Sequence, residues 1–90
     1  MSRQVRTFVI VNSLGLHARA AAQLVQAANR YRAEVMIEKD GMEVNGKSIM
    51  GVLTLAAAKG SEIRVSVEGD DCEPALLALA QLIESGFGET

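Results

Sequence analysis

The 90-residue sequence predicts an α+β domain of two layers, a four-stranded and mostly antiparallel sheet covered on one face by three helices. Two observations point there. Segments with a period of two alternate with segments of helical period in the order β-α-β-β-α-β-α, and nearly every change of period falls at a turn or capping residue. No linker, repeat or low-complexity stretch interrupts the pattern, so one domain over residues 1–90 is expected.

The segment Gln4 to Val11 is rich in β-branched residues and reads as a strand, although Phe8 and Ile10 compete with Val9 and Val11 for its inner face. After Gly15, the run from Ala18 to Asn29 sets Ala21, Leu24, Val25 and Ala28 on one helical stripe. Ala33 to Lys39 alternates around Val35 and Ile37, and Asp40-Gly41 suits a hairpin turn into Met42 to Val44. Ser48 stands as the cap of a short helix from Ile49 to about Ala56. Ile63, Val65 and Val67 then alternate with charged and polar neighbours. Cys72, Leu76, Leu79, Ala80 and Ile83 share the face of a last helix that ends before Gly86, its start favoured by Asp70, Asp71 and Pro74.

Composition narrows the function. A formal net charge of −2 lacks the basic excess that grips nucleic acid, so nucleic acid is not an expected partner. No apolar run is long enough to cross a bilayer and the start is polar, so no membrane insertion is expected. The lone Cys72 cannot close an internal disulfide, and it falls on an apolar stripe, which favours a buried structural role. No Cys/His cluster has metal-ligand spacing, so neither a metal nor a cofactor is expected. A reduced, cytoplasmic setting fits these features.

The residue with the most chemistry is His17, the sole histidine, set by Gly15-Leu16-His17-Ala18-Arg19 at the entrance to a helix. There its ring sits beside unpaired backbone N–H groups and the positive end of the macrodipole. A ring nitrogen stays available to attack phosphorus, and a phosphoryl group on it can accept hydrogen bonds from the same N–H groups, with Arg19 adding a charged donor. A helix end contributes roughly 0.3 to 2 kcal/mol to a nearby charge, enough to tune a transfer without trapping its product. Read alone, the same residues also fit a histidine that only caps a helix beside a solvated arginine. Ser48 likewise has a plain reading as an N-cap, with which a phosphate at that position is compatible.

Gly15-Leu16-His17-Ala18-Arg19 and Lys47-Ser48-Ile49-Met50-Gly51-Val52 together resemble the active-site and regulatory-serine motifs of the HPr family of the bacterial phosphoenolpyruvate-dependent phosphotransferase system. The likeness covers nearly the whole chain, including Ala57-Ala58-Lys59-Gly60 and Ser85-Gly86-Phe87-Gly88. It implies an open-faced β-sandwich, four antiparallel strands under three helices. It also implies phosphoryl transfer from enzyme I to His17 at Nδ1 and onward to an enzyme II A-component or its nitrogen-branch equivalent. Arg19 and the Ala18 backbone N–H would steady the phosphoryl group, and Ser48 would be the substrate of an HPr kinase/phosphorylase. Such a protein is a carrier, a substrate of other phosphotransferases rather than an enzyme, and is expected as a monomer.

By the same resemblance, Leu16, Ile49, Met50 and Leu53 are expected in a partly exposed apolar patch near His17, with Arg19 and Lys47 as its charged rim for transient docking. Two departures stand out. Ala20 occupies the family's usual proline position, which should loosen the helix start slightly. Asn12-Ser13-Leu14-Gly15 and the Ser85-Gly86-Phe87 ending look like nitrogen-related carriers, whereas Lys47-Ser48-Ile49-Met50 looks like carriers recognised by HPr kinase. Two other functions compete. A ferredoxin-like ligand-binding domain gives no reason for His17 beside Arg19, and a hydrolase or transferase using His17 as base lacks a second acid, nucleophile or oxyanion group.

Overall fold

Alternation and helical periodicity sort the chain into the expected order in the computed structural model, which describes residues 2–89. The elements are β1 (Arg3–Val9), α1 (Ala18–Ala28), β2 (Glu34–Lys39), β3 (Met42–Asn45), α2 (Ile49–Thr54), β4 (Glu62–Glu68) and α3 (Cys72–Glu84), followed by a single 3-10 turn at Gly86–Gly88. The sheet order is β1-β4-β2-β3 and every pairing is antiparallel. In register, Phe8 faces Ile63, Val35 faces Val67, and Ile37 lies between Val65 and Val44.

Period two puts Phe8, Val35, Ile37, Ile63, Val65 and Val67 on one face, where they meet Leu24, Val25, Leu79 and Ile83 from the helices. The inner face of β1 is thereby settled: Phe8 and Ile10 are buried, and Val9 and Val11 are exposed. Phe8 wins because its partner Ile63 belongs to the strand with the cleanest alternation, and a one-residue slip would turn Phe8 and Ile10 outward and bring the smaller Val9 to the core. The opposite face carries no helix and is largely exposed, but Ser66 on it is buried between its neighbours Val5 and Met36.

The two long helices pack on each other, α3 lies over β1 and β4, and α2 rests on α1 and β3. Helix α1 buries six of its eleven residues, mostly alanines, which lets it approach its neighbours closely. Helix α2 ends at Thr54 rather than near Ala56, because Ala56 adopts a left-handed φ of 50° that stops the helix. Asp71 caps α3 only through its backbone. Its carboxylate instead accepts from the Arg32 and Ala33 N–H groups at 2.9 and 2.8 Å, which ties the start of α3 to the entry of β2. The Arg32 N–H bond, joined by that from Ala33, holds the Asp71 carboxyl below its usual range. Cys72 is buried, as its place on the stripe predicts.

Candidate functional site

The site is built where the loop after β1 turns into α1. Gly15 takes a φ of +64°, and a Cβ there would lie 2.4 Å from the Ala57 carbonyl oxygen, so only glycine fits the turn. The turn is held by Gly15 N–H donating to Asn12 O at 3.2 Å and by Asn12 Nδ2 donating to Gly15 O at 2.8 Å. Leu16 N–H then donates to Ala57 O at 2.8 Å, which pins the entrance of α1 to the segment after α2. Leu16 is 4% exposed. It is therefore a core residue and not part of an apolar surface patch: the Gly15 turn directs its side chain inward.

His17 is the N-cap of α1, with extended backbone (φ −74°, ψ 179°), and its Nδ1 accepts a hydrogen bond from the Arg19 N–H at 3.3 Å. The helix N-terminus thus meets the resting ring through the Arg19 N–H. Accepting this bond requires Nδ1 to be unprotonated. The other nitrogen, Nε2, is paired with the carboxylate of Glu89, which an ionised acid can only receive as an N–H donor. The two contacts agree on one tautomer, with the proton on Nε2 and a lone pair on Nδ1. The Arg19 side chain is exposed and its guanidinium has no hydrogen-bond partner among the described residues, which leaves its donors available to an anion.

Glu89 reaches the ring because the turn at Gly86–Gly88 folds the end of the chain back over the Asn12 loop. Gly86 takes φ +69°, and Phe87 anchors the turn in the core. The second carboxylate oxygen accepts from Asn12 Nδ2 at 3.2 Å. The bond from His17, helped by that from Asn12, holds the Glu89 carboxyl below its ordinary value. Buried Asn12 thus braces both the turn that carries His17 and the acid that orients it. Neither Asn12 nor Glu89 is singled out chemically by the sequence, since they lie 5 and 72 positions from His17 and no local pattern joins them. The one sequence hint is the polar turn Asn12 to Gly15.

The second motif lies elsewhere. Ser48 is the N-cap of α2, its Oγ accepting from Gly51 N–H at 3.1 Å. Lys47 O lies 3.5 Å from Asn29 Nδ2 at the C-terminus of α1, and Lys47 Nζ donates to Tyr31 O at 2.7 Å. The start of α2 therefore lies at the C-terminal end of α1, and about 16 Å of helix separates the level of Ser48 from that of His17. Lys47 does not rim the histidine, because its ammonium closes the far end of α1. Ile49 and Met50 are exposed, at 43% and 72%, and Leu53 is half-buried, so these three do form an apolar surface on α2. Ala20 is buried in the first turn of α1, where the helix starts regularly without proline.

Among the described residues no cluster of three or more His, Cys, Asp or Glu side chains could hold a metal, and no helix is long and apolar enough to cross a membrane. A surface groove of about 530 Å³ runs between α1 and α3, lined by residues such as Gln23, Ala27, Gln81 and Leu82, and does not include His17.

Comparison with known proteins agrees with this geometry. A family model described as the PTS HPr component phosphorylation site matches residues 4–85. A phosphocarrier protein HPr of Xylella fastidiosa is 47% identical over 81 residues, which are 90% of this chain and 91% of that protein. The crystal structure of an HPr from Thermoanaerobacter tengcongensis superposes with a TM-score of 0.94 at 47% identity, covering 97% of this chain and 98% of that one. An HPr from Bacillus anthracis gives 0.87 at 46% identity, covering 92% and 99%.

Proposed function

The chain belongs to the HPr family of phosphocarrier proteins of the phosphotransferase system, and from that premise we propose that His17 accepts a phosphoryl group from phospho-enzyme I and passes it to an enzyme II A-component or its nitrogen-branch equivalent in the cytoplasm. The observation that supports this most directly is the state of the ring: Nδ1 holds a lone pair at the mouth of a helix while Nε2 is tied back. Attack by Nδ1 on phosphorus would release the Arg19 N–H from the ring. That N–H, the neighbouring Ala18 N–H and the Arg19 guanidinium could then bind the phosphoryl oxygens. A dianion at an open helix end is stabilised only modestly, which suits a group that must move on. The protein itself turns over nothing; it is a substrate for the enzymes on either side.

Ser48 is the second modification site in this reading, a substrate for an HPr kinase. A phosphate there adds about −1.5 to −2 charge. Separated from His17 by more than a Debye length of about 10 Å, it would act on partner docking over Ile49, Met50 and Leu53 rather than on the imidazole.

Intact mass after incubation with phosphoenolpyruvate and enzyme I tests the first step. One phosphoryl group that brief acid treatment removes is expected on the native protein and none on His17→Ala, whose far-ultraviolet circular dichroism should be unchanged. Phosphoryl uptake by a folded His17→Ala protein would refute the assignment.

A further inference from the structure

We propose that Glu89 is a positioning residue for phosphoryl transfer: its carboxylate fixes the Nε2–H tautomer of His17, and Asn12 holds that carboxylate in place. The inference rests on the phosphocarrier reading of His17 and adds a residue to it. Three contacts carry it. Glu89 pairs with Nε2, its other oxygen takes a hydrogen bond from the amide of buried Asn12, and the Arg19 N–H reaches Nδ1 from the opposite edge of the ring. The His17 and Glu89 side chains are 27% and 20% exposed, so water competes with the pair only in part.

The chemistry needs such a partner. A free neutral imidazole places its proton on either nitrogen, and only the form with an unprotonated Nδ1 can attack phosphorus from that atom. In the transfer, the Nδ1 lone pair forms the new N–P bond while the N–P bond of the donor's phosphohistidine breaks and its electron pair returns to the donor ring. The proton on Nε2 stays where it is, so the His17 ring becomes a phosphorylated imidazolium whose positive charge faces the Glu89 carboxylate. On the next transfer the N–P pair returns to Nδ1 and the ring leaves neutral. A carboxylate at Nε2 thus serves both half-reactions without itself gaining or losing a proton, the same division of labour by which an acid orients a histidine base in hydrolytic triads.

The shape of the contact also separates orientation from packing. A carboxylate is acceptor-only and selects Nε2–H, whereas a glutamine can accept from Nε2–H or donate to a bare Nε2 and so selects neither. The experiment compares native protein with Glu89→Gln and Glu89→Ala, reading the ring tautomer by ¹⁵N NMR of His17 and the rate of phosphoryl uptake from phospho-enzyme I. Native protein should show the Nε2–H tautomer alone. Both variants should show a mixture, with uptake slowed roughly tenfold, the scale of losing a partner that orients a reacting imidazole. Native-like tautomer and rate in Glu89→Gln would overturn the inference by reducing Glu89 to a packing contact, and so would an unaltered ring in Glu89→Ala. Absence of uptake by the native protein would instead strike the phosphocarrier reading, while the ring spectra would still report on Glu89.

Discussion

Two helices of this protein begin on a side chain that phosphoryl chemistry can use, and they begin differently. At α2, Ser48 Oγ makes an ordinary cap to the N–H three residues on, and the helix it opens is six residues long with one of them, Val52, buried. At α1, His17 Nδ1 makes a longer bond to the N–H two residues on, its other nitrogen is held by Glu89, and eleven residues with six buried follow. The serine cap is part of what keeps α2 helical. The histidine cap stabilises little, because α1 is held by its packing; in the proposed transfer, what the bond does is aim a nucleophile. A cap that must be released for chemistry belongs on a helix that does not depend on it.

The two glycines beside these starts put the contrast to its hardest test. Gly15→Ala would place a Cβ 2.4 Å from a carbonyl oxygen at a left-handed φ, whereas Gly51→Ala meets nothing closer than 3.4 Å within a helix. Denaturant unfolding should show a loss of at least about 2 kcal/mol for Gly15→Ala, from strain and displacement of the Leu16–Ala57 contact. For Gly51→Ala it should show a gain of about 0.5 to 1 kcal/mol from better helix propensity. Equal effects would mean that the turn before His17 is not rigidly held.

A smaller effect separates the caps themselves. Ser48→Ala should cost about 1 kcal/mol, while Ser48→Asp, whose carboxylate can take over the same bond, should leave the melting temperature unchanged. The aspartate should nevertheless slow phosphoryl uptake from enzyme I, measured in rapid-quench assays, because its charge lies beside the exposed Ile49 and Met50 surface. Uptake at the native rate would remove Ser48 from control of docking.

Much of this architecture is written in local patterns. The order of elements, the alternation of β4, the stripe of α1 and the two capped helix starts follow from residue type and spacing. What escaped local reading depends on contacts between distant segments. Leu16 looks like a surface neighbour of His17 until the Gly15 turn and the Ala57 carbonyl direct it inward. Lys47 looks like a rim charge until its ammonium finds the Tyr31 carbonyl. Asn12 and Glu89 act on the histidine only because a 3-10 turn, with Phe87 in the core at φ 58°, brings the chain end back across the β1–α1 loop. Charge, period and motif carry no record of that return.

The mildest perturbation concerns Arg19, whose backbone and side chain have separate duties. Its N–H caps the ring from the helix interior, and its guanidinium extends into solvent without a partner among the described residues. Arg19→Ala keeps the N–H and places a strong helix former in the first turn, so the unfolding free energy should change by less than about 0.5 kcal/mol. The phosphoryl group should feel the loss, since a planar fork of donors is replaced by water. Phosphoryl transfer in both directions should slow while the ring tautomer, which Glu89 and the Arg19 N–H set, remains native. A changed tautomer would show that the guanidinium, and not only the amide, shapes the resting site; an unchanged transfer rate would leave the phosphoryl group to the backbone alone.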